Sequence, residues 1–509
     1  MKIKKLNKLS RLWDLLLVVF IWLFQLVYTL NSTNKIRLEE LAESVRNVFW
    51  LQNRTIYDGI SSNVGWYGTL LVVYNLFGFT LFTAKYFRLA VHFFSLLSLG
   101  AIFNKYFKRR ISWLPLLAIG LSPTLLYFNT LQTSFGIDLQ YFPICLYLLL
   151  SLDFSRPLMA GIKQFSLGFL IMLAAMSYPT FLAYIPILLI IYIFLLWKNI
   201  KDLNFKIILR NGIILLFSFV LPMLIVLNYL KNPQKLIYDH QARSGIFRGG
   251  GGGQMPKNIS DLLNNIISGT KQVGKDLFLY PGSFYFESDI SRVEFSHKIL
   301  LLTVLLVLFL SVWMFIKIKK TRLPILLSLL LGLTSLLVGN FSGDLPGIRR
   351  SAGVLASFYT LYILAWNYVI PSFSKIRKKS LLSFFFLRIL IMFALLLVVF
   401  HHFKVYRYNL AALYLPSNHA ADACFNKIPG QPAKSLEKYV SWAQNGEVLY
   451  NTGEDEGGFV CRLHAIYAAS AGSCKWNHLN CPPIYGYDEN TGNNILLSTG
   501  LWESYYFGH

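Results

Sequence analysis

Apolar stretches near 20 residues recur along the chain, at about 13–30, 86–104, 111–128, 139–152, 165–180, 181–197, 207–229, 298–316, 323–339, 351–371 and 381–401. A segment of that length and apolarity has one stable form in lipid, a helix that satisfies its own backbone hydrogen bonds. Eleven such runs predict an all-α polytopic membrane protein with about 11 transmembrane helices. Composition leaves no other class. With 55% hydrophobic and 14% charged residues, a soluble chain of 509 residues would lack the polar surface to solvate itself. Collagenous, coiled-coil and disordered classes are excluded by the missing Gly-X-Y period, the missing heptads and the high apolar content.

The formal charge of +24 raises a nucleic-acid reading, which the placement of the charges removes. The cations lie between the apolar runs, and no basic stripe interleaved with aromatics occupies a polar face, so no nucleic-acid partner is expected. The segments 2–11, 105–110, 156–163, 198–206, 317–322 and 375–379 hold 22 Lys/Arg, against two nearby acids, Asp153 and Asp202. That asymmetry predicts cytoplasmic turns, a cytoplasmic N-terminus and an extracytoplasmic C-terminus. It also decides the apolar run 66–82. Counted as a further span, that run would put Lys105, Lys108, Arg109 and Arg110 outside, so it is expected as a juxtamembrane helix on the outer surface. The run that follows Met1-Lys2-Ile3-Lys4-Lys5 has no small-residue cleavage site and reads as a retained helix.

These boundaries divide the chain into a transmembrane module 1–230 with a first outer loop 31–85, an extracytoplasmic loop 231–297, further transmembrane helices 298–401 and a tail 402–509. In the middle loop Arg248 precedes five glycines, Gly249 to Gly253, which read as flexible backbone because no Lys-Ser/Thr pair follows as in a P-loop. The tail turns polar and rich in Gly, Asn and Tyr, the pattern of a small α+β extracytoplasmic domain. Cys424, Cys461, Cys474 and Cys481 lie there, an even set that predicts two disulfides in an oxidising compartment. Zinc is the alternative, since Cys461-x-x-His464 and Cys474-x-x-x-His478-x-x-Cys481 have ligand spacings. Cys145, inside a span, is expected in the core.

Carboxylates and cations meet at the outer ends of the spans. Residues 34–47 carry Leu38, Leu41 and Val45 at helical spacing, an amphipathic surface helix with Glu39, Glu40 and Glu43 on its polar side. Asp138 opens the next acidic position, either as the N-cap of its helix or as a carboxylate facing those glutamates across a cleft. Such a pair can hold a divalent cation or take a proton from an attacking hydroxyl. Lys85 and Arg88 open the second span, Arg243 lies in the middle loop, and Arg349 and Arg350 depart from the positive-inside pattern, which asks for an anionic partner such as a lipid phosphate. His92 is expected as a hydrogen-bonded residue inside the bundle.

The order of these parts resembles the GT-C glycosyltransferases, polytopic enzymes that include protein O-mannosyltransferases, the aminoarabinose transferase and oligosaccharyltransferases. The resemblance rests on Ala42-Glu43-x-x-Arg46-Asn47, Tyr67 to Phe77-Gly78-Phe79, Phe87-Arg88-Leu89, Leu121-Ser122-Pro123 and Tyr127-Phe128-Asn129 leading to Asp138, within about the first 155 residues. It implies a GT-C-like fold, a polyprenyl-phosphate sugar as donor, an acceptor lipid, glycan or protein, and a place in the bacterial inner membrane. It also implies that a carboxylate of the first outer loop acts at the acceptor, as base or metal ligand, and that a second acidic position follows the third span. Asp138 fits the second position. At the first, the alignment brings Arg37 where the family has its catalytic Asp, and Glu40 or Glu39, close on the same helix, would have to substitute. Arg88, Arg243, Arg349 and Arg350 would hold the donor phosphate. If no carboxylate reaches the cleft, the expectation becomes a catalytically silent GT-C-fold scaffold presenting 402–509 to protein partners. A transporter fits less well, because the spans are not interrupted in matching halves.

Overall fold

The structure is a computed structural model that describes residues 15–27, 63–77, 83–106, 116, 120, 134, 136–199, 205–229, 258–278, 294–339, 352–375, 484–488 and 493–498. Nearly all of these are helical. In chain order the helices are α1 (Leu15–Val27), α2 (Val64–Phe77), α3 (Thr83–Tyr106), α4 (Asp138–Leu150), α5 (Pro157–Ser177), α6 (Ile185–Asn199), α7 (Phe205–Tyr229), α8 (Ile259–Phe278), α9 (Glu294–Lys317), α10 (Arg322–Gly339) and α11 (Gly353–Lys375). Nine of the eleven apolar runs coincide with helices. The run 381–401 and all of 111–128 except residues 116 and 120 lie outside the described residues. Among the described residues, four stretches are long and apolar enough to cross a membrane: Thr83–Phe103, Pro157–Ser177, Thr180–Trp197 and Lys319–Gly339.

The bundle is held by close approach of small residues, as expected where lipid offers side chains as apolar a surrounding as another helix. α5 and α7 meet at Gly168, where an added Cβ would fall 2.1 Å from Ser218 Oγ and 2.8 Å from the Leu215 carbonyl oxygen. The Ser218 hydroxyl donates to that same carbonyl at 2.8 Å, so the polar atom at the crossing is satisfied within its own helix. α10 and α11 are joined by Ser357, whose hydroxyl donates to the Ser328 carbonyl at 2.6 Å. Among the described residues, two apolar clusters are packed inside the bundle. One combines Val18 and Ile21 of α1 with Leu96 of α3, Leu139 of α4 and Leu355 of α11. The other joins Met314 of α9, Ile325 of α10 and Leu361 of α11. α1 is fixed to α3 by Trp22, which donates to the Leu89 carbonyl at 3.0 Å and meets Phe93 edge-on at 5.6 Å.

The basic turns do local structural work besides carrying the charge asymmetry. Lys163 Nζ donates to the Ser151 carbonyl at the end of α4, at 2.7 Å, and Arg322 Nε donates to the Phe315 carbonyl at the end of α9, at 3.0 Å. Both cations sit where a helix C-terminus leaves carbonyls open and carries partial negative charge. In the same turn as Ser151, Asp153 accepts from the Ser155 hydroxyl at 2.6 Å and lies 3.7 Å from Arg156. These partners, Ser155 first, hold its carboxyl below the usual range.

In the run 66–82, α2 is a short apolar helix outside the four candidate spans, and it packs on the bundle: it buries Trp66, Tyr67, Leu70 and Tyr74, and at Gly65 an added Cβ would lie 2.6 Å from the Leu173 carbonyl of α5. One expectation needs correction. His92 is buried, yet neither ring nitrogen has a hydrogen-bond partner among the described residues, so it is not the satisfied bundle histidine expected. Cys145 is buried and free, as expected of a core thiol. In the tail, Ile484–Asp488 and Asn493–Ser498 pair as a two-stranded antiparallel sheet, β1 and β2. The four tail cysteines lie outside the described residues.

Candidate functional site

Asp138 is the first residue of α4, and the turn before it is set by Gly136, whose φ of 71° lies in the left-handed region that a glycine adopts without strain. A carboxylate at a helix N-terminus faces the positive end of the helix dipole. The N-cap position itself is Ile137 and makes no side-chain cap, so the expectation that Asp138 caps its own helix is also corrected. Its side chain turns inward instead.

There it meets the seam between α5 and α6. α5 ends at Ser177, Tyr178 is extended, and Pro179 starts a single short 3₁₀ stretch, Pro179–Ala183, as suits a ring with φ already fixed and no N–H to place. Thr180 and Tyr184 project from this seam onto one carboxylate oxygen: Thr180 Oγ1 donates to Asp138 Oδ2 at 3.0 Å and the Tyr184 hydroxyl donates to it at 3.2 Å. The Tyr184 ring packs on Phe142, one turn farther along α4, at 4.7 Å. Thr334 of α10 anchors the seam from the other side by donating to the Ala183 carbonyl at 2.9 Å. Asp138 is fully buried; its Oδ1 has no hydrogen-bond partner and no cation pairs with it among the described residues.

A buried cation stands on α3, which packs along α4. Arg88 is fully buried with its guanidinium 5.9 Å from the Trp66 ring centroid, and Trp66 in turn lies 5.7 Å from Phe87. A flat guanidinium over an indole face is held in orientation by the ring quadrupole while its donors stay directed in its own plane. His92 stands one turn farther along α3, and Tyr141 one turn along α4 from Asp138. Lys85, also buried, opens the same helix. The structure therefore brings Asp138 and Arg88 to adjoining helices. Glu39, Glu40, Arg243, Arg349, Arg350, Cys424, Cys461, Cys474 and Cys481 lie outside the described residues.

Sequence reasoning missed Thr180, Tyr184 and Trp66. A signal for the first two was present: Ser177-Tyr178-Pro179-Thr180 is a polar, proline-containing break between two apolar runs, where backbone and hydroxyl groups need partners. What the text of the chain does not encode locally is that Asp138, 42 residues earlier, supplies the acceptor. A second buried polar layer lies deeper between α5, α6 and α7, where Gln164 Nε2 donates to the Tyr192 hydroxyl at 3.1 Å and Asn211 is buried on the neighbouring helix. Among the described residues no three His, Cys, Asp or Glu side chains come together as metal ligands. A divalent cation at Asp138 would find one carboxylate there and would need its other oxygen ligands from outside the described residues. Compared with known proteins, the chain matches no family model and no curated protein.

Proposed function

We propose that the chain is a membrane glycosyltransferase of the GT-C type that moves a sugar from a polyprenyl-phosphate donor to an acceptor on the extracytoplasmic side. The observation that carries this reading is the state of Asp138: a buried carboxylate at the end of an apolar helix, one oxygen fixed by Thr180 and Tyr184 and the other without a partner among the described residues, beside a helix that buries Arg88. Ionisable groups are expensive in such surroundings and persist where they act. The sidedness comes from the charge pattern, with eleven spans, the N-terminus inside, and the tail 402–509 outside as a disulfide-bonded domain able to meet protein partners.

In the reaction, the acceptor oxygen or nitrogen forms a bond to the anomeric carbon as the bond from that carbon to the phosphate oxygen breaks. The electron pair leaves with the polyprenyl phosphate, and the acceptor proton passes to a carboxylate. Glu40, or Glu39 beside it, serves as that base or holds a divalent cation, and Asp138 provides the second carboxylate. Arg88, with Arg243, Arg349 and Arg350, neutralises the departing phosphate, where planar bidentate contacts are strongest.

A specific observation favours a second reading, a silent GT-C-fold scaffold. Arg37 stands where the family resemblance asks for Asp, and Asp138 with its two hydroxyl donors also serves as a latch joining α4 to the α5–α6 seam. The experiment that separates the two is transfer by the purified chain in lipid vesicles, offered a panel of radiolabelled polyprenyl-phosphate sugars and lipid, glycan and peptide acceptors. Labelled product lost in the Glu39→Gln/Glu40→Gln double variant supports the enzyme. No product from wild type across the panel supports the scaffold.

A further inference from the structure

α8 lies in the loop 231–297, after the glycine run, and its apolar stripe is split in two. Gly269 and Val273 are buried, and the helix packs on α9 and α10. Val273 belongs to the cluster that takes Leu336 from the last turn of α10, Ala352 and Leu355 from the start of α11, and Leu139, the neighbour of Asp138. The other half of the stripe, Ile259, Leu263 and Ile267 at i, i+4 and i+8, is 77%, 53% and 51% exposed, an apolar row open to the surroundings. The opposite side is polar, with Asn264, Ser268 and Lys271 exposed. The start of the helix is fixed by Asn258, whose side-chain oxygen accepts from the Asp261 N–H at 2.8 Å, so the row begins at a defined first turn.

We infer that α8 is an interfacial helix whose Ile259, Leu263 and Ile267 row inserts among the acyl chains of the outer lipid leaflet, beside the end of the bundle that carries Asp138. This rests on the membrane reading given above. The occupant is lipid because the two helices on which α8 packs present exposed apolar side chains of their own: Leu305, Leu308, Phe309 and Val312 on α9, and Leu329, Leu333 and Leu337 on α10. A helix with one apolar flank and a polar back lies in the plane of the interface. Leu336, in the apolar cluster that holds Val273, is close to the end of α10 at Gly339.

The test is photolabelling of the full chain reconstituted in phosphatidylcholine vesicles carrying a phospholipid with a diazirine in its acyl chain, with adducts mapped by mass spectrometry. Adducts are expected on Ile259, Leu263 and Ile267 at yields comparable to Phe309 and Leu333, and at least fivefold lower on Asn264, Ser268 and Lys271. Labelling of Phe309 and Leu333 without labelling of the α8 row overturns the inference while leaving the membrane reading intact. Labelling of neither overturns both. Leu263→Glu with Ile267→Glu should cut labelling of α8 at least fivefold and leave Phe309 unchanged; because both residues are exposed, the variant retains the contacts through Val273.

Discussion

Tyr184 donates its hydroxyl to the Asp138 carboxylate across 46 residues of chain, and Thr180, one helical turn before it, donates to the same oxygen. Two donors on one oxygen of a buried carboxylate make that contact sensitive to the loss of either partner, because the group left behind has no water to turn to. Asp138→Ala should destabilise the bundle by about 1–3 kcal/mol, leaving two buried hydroxyls unpaired. Asp138→Asn keeps an oxygen acceptor and should cost less than half of that. Thermal unfolding in detergent compares the two; equal losses would mean that the hydroxyls have other acceptors.

Tyr184→Phe removes one of the donors and keeps the ring against Phe142, so about 1 kcal/mol is expected. Thr180→Val should do the same, and the double variant should cost less than the sum, since both act on one oxygen. Additive losses in a double-mutant cycle would separate the two hydroxyls into independent contacts.

The crossing of α5 and α7 gives a sharp steric contrast. Gly168→Ala would set a methyl group against Ser218 Oγ and the Leu215 carbonyl, and a loss of about 1–3 kcal/mol is expected from helices pushed apart. Gly212→Ala, on α7 with no atom within 4 Å of its added Cβ, should be neutral or stabilising by up to about 1 kcal/mol through helix propensity. Unfolding midpoints of the two variants measured side by side check this, and a neutral Gly168→Ala would deny the close approach.

The apolar runs made the helices legible because apolarity over 18 or more residues leaves a helix no choice of exterior. α3, α7, α9 and α10 fall within a few residues of their runs. The packing of α2 was not legible, because length and charge, which decide whether a segment spans, say nothing about what it is buried against; Gly65 and Trp66 decide that through contacts with α5 and α3. In the site, Asp138 and Arg88 stood out as charges beside apolar text. Their orientation did not, since the Asp138 partners come from a proline-marked seam whose position relative to α4 is a tertiary fact. His92 carries the same lesson in reverse: a histidine on an apolar face was expected to be paired, and no described side chain reaches its ring nitrogens.

Sidedness is checked by fusion reporters on the full chain. A reporter after Lys320 should read cytoplasmic and one after Ser417 extracytoplasmic, following the 22 cations in the inner turns. If Ser417 reads extracytoplasmic, Cys424, Cys461, Cys474 and Cys481 should resist alkylation until reductant is added; free thiols with bound zinc would assign the metal alternative.

The central claim is that Asp138 and its surroundings carry out sugar transfer and do not serve only as a latch. The most direct measurement is the turnover of wild type and Asp138→Asn on a polyprenyl-phosphate sugar that wild type uses, with unfolding midpoints taken on the same preparations. At least a hundredfold loss of turnover is predicted with a midpoint within a few degrees of wild type, because the amide keeps the contacts with Thr180 and Tyr184 but lacks the negative charge of the second carboxylate. Asp138→Asn that retains wild-type turnover would contradict it and leave the carboxylate as a structural joint between α4 and the α5–α6 seam.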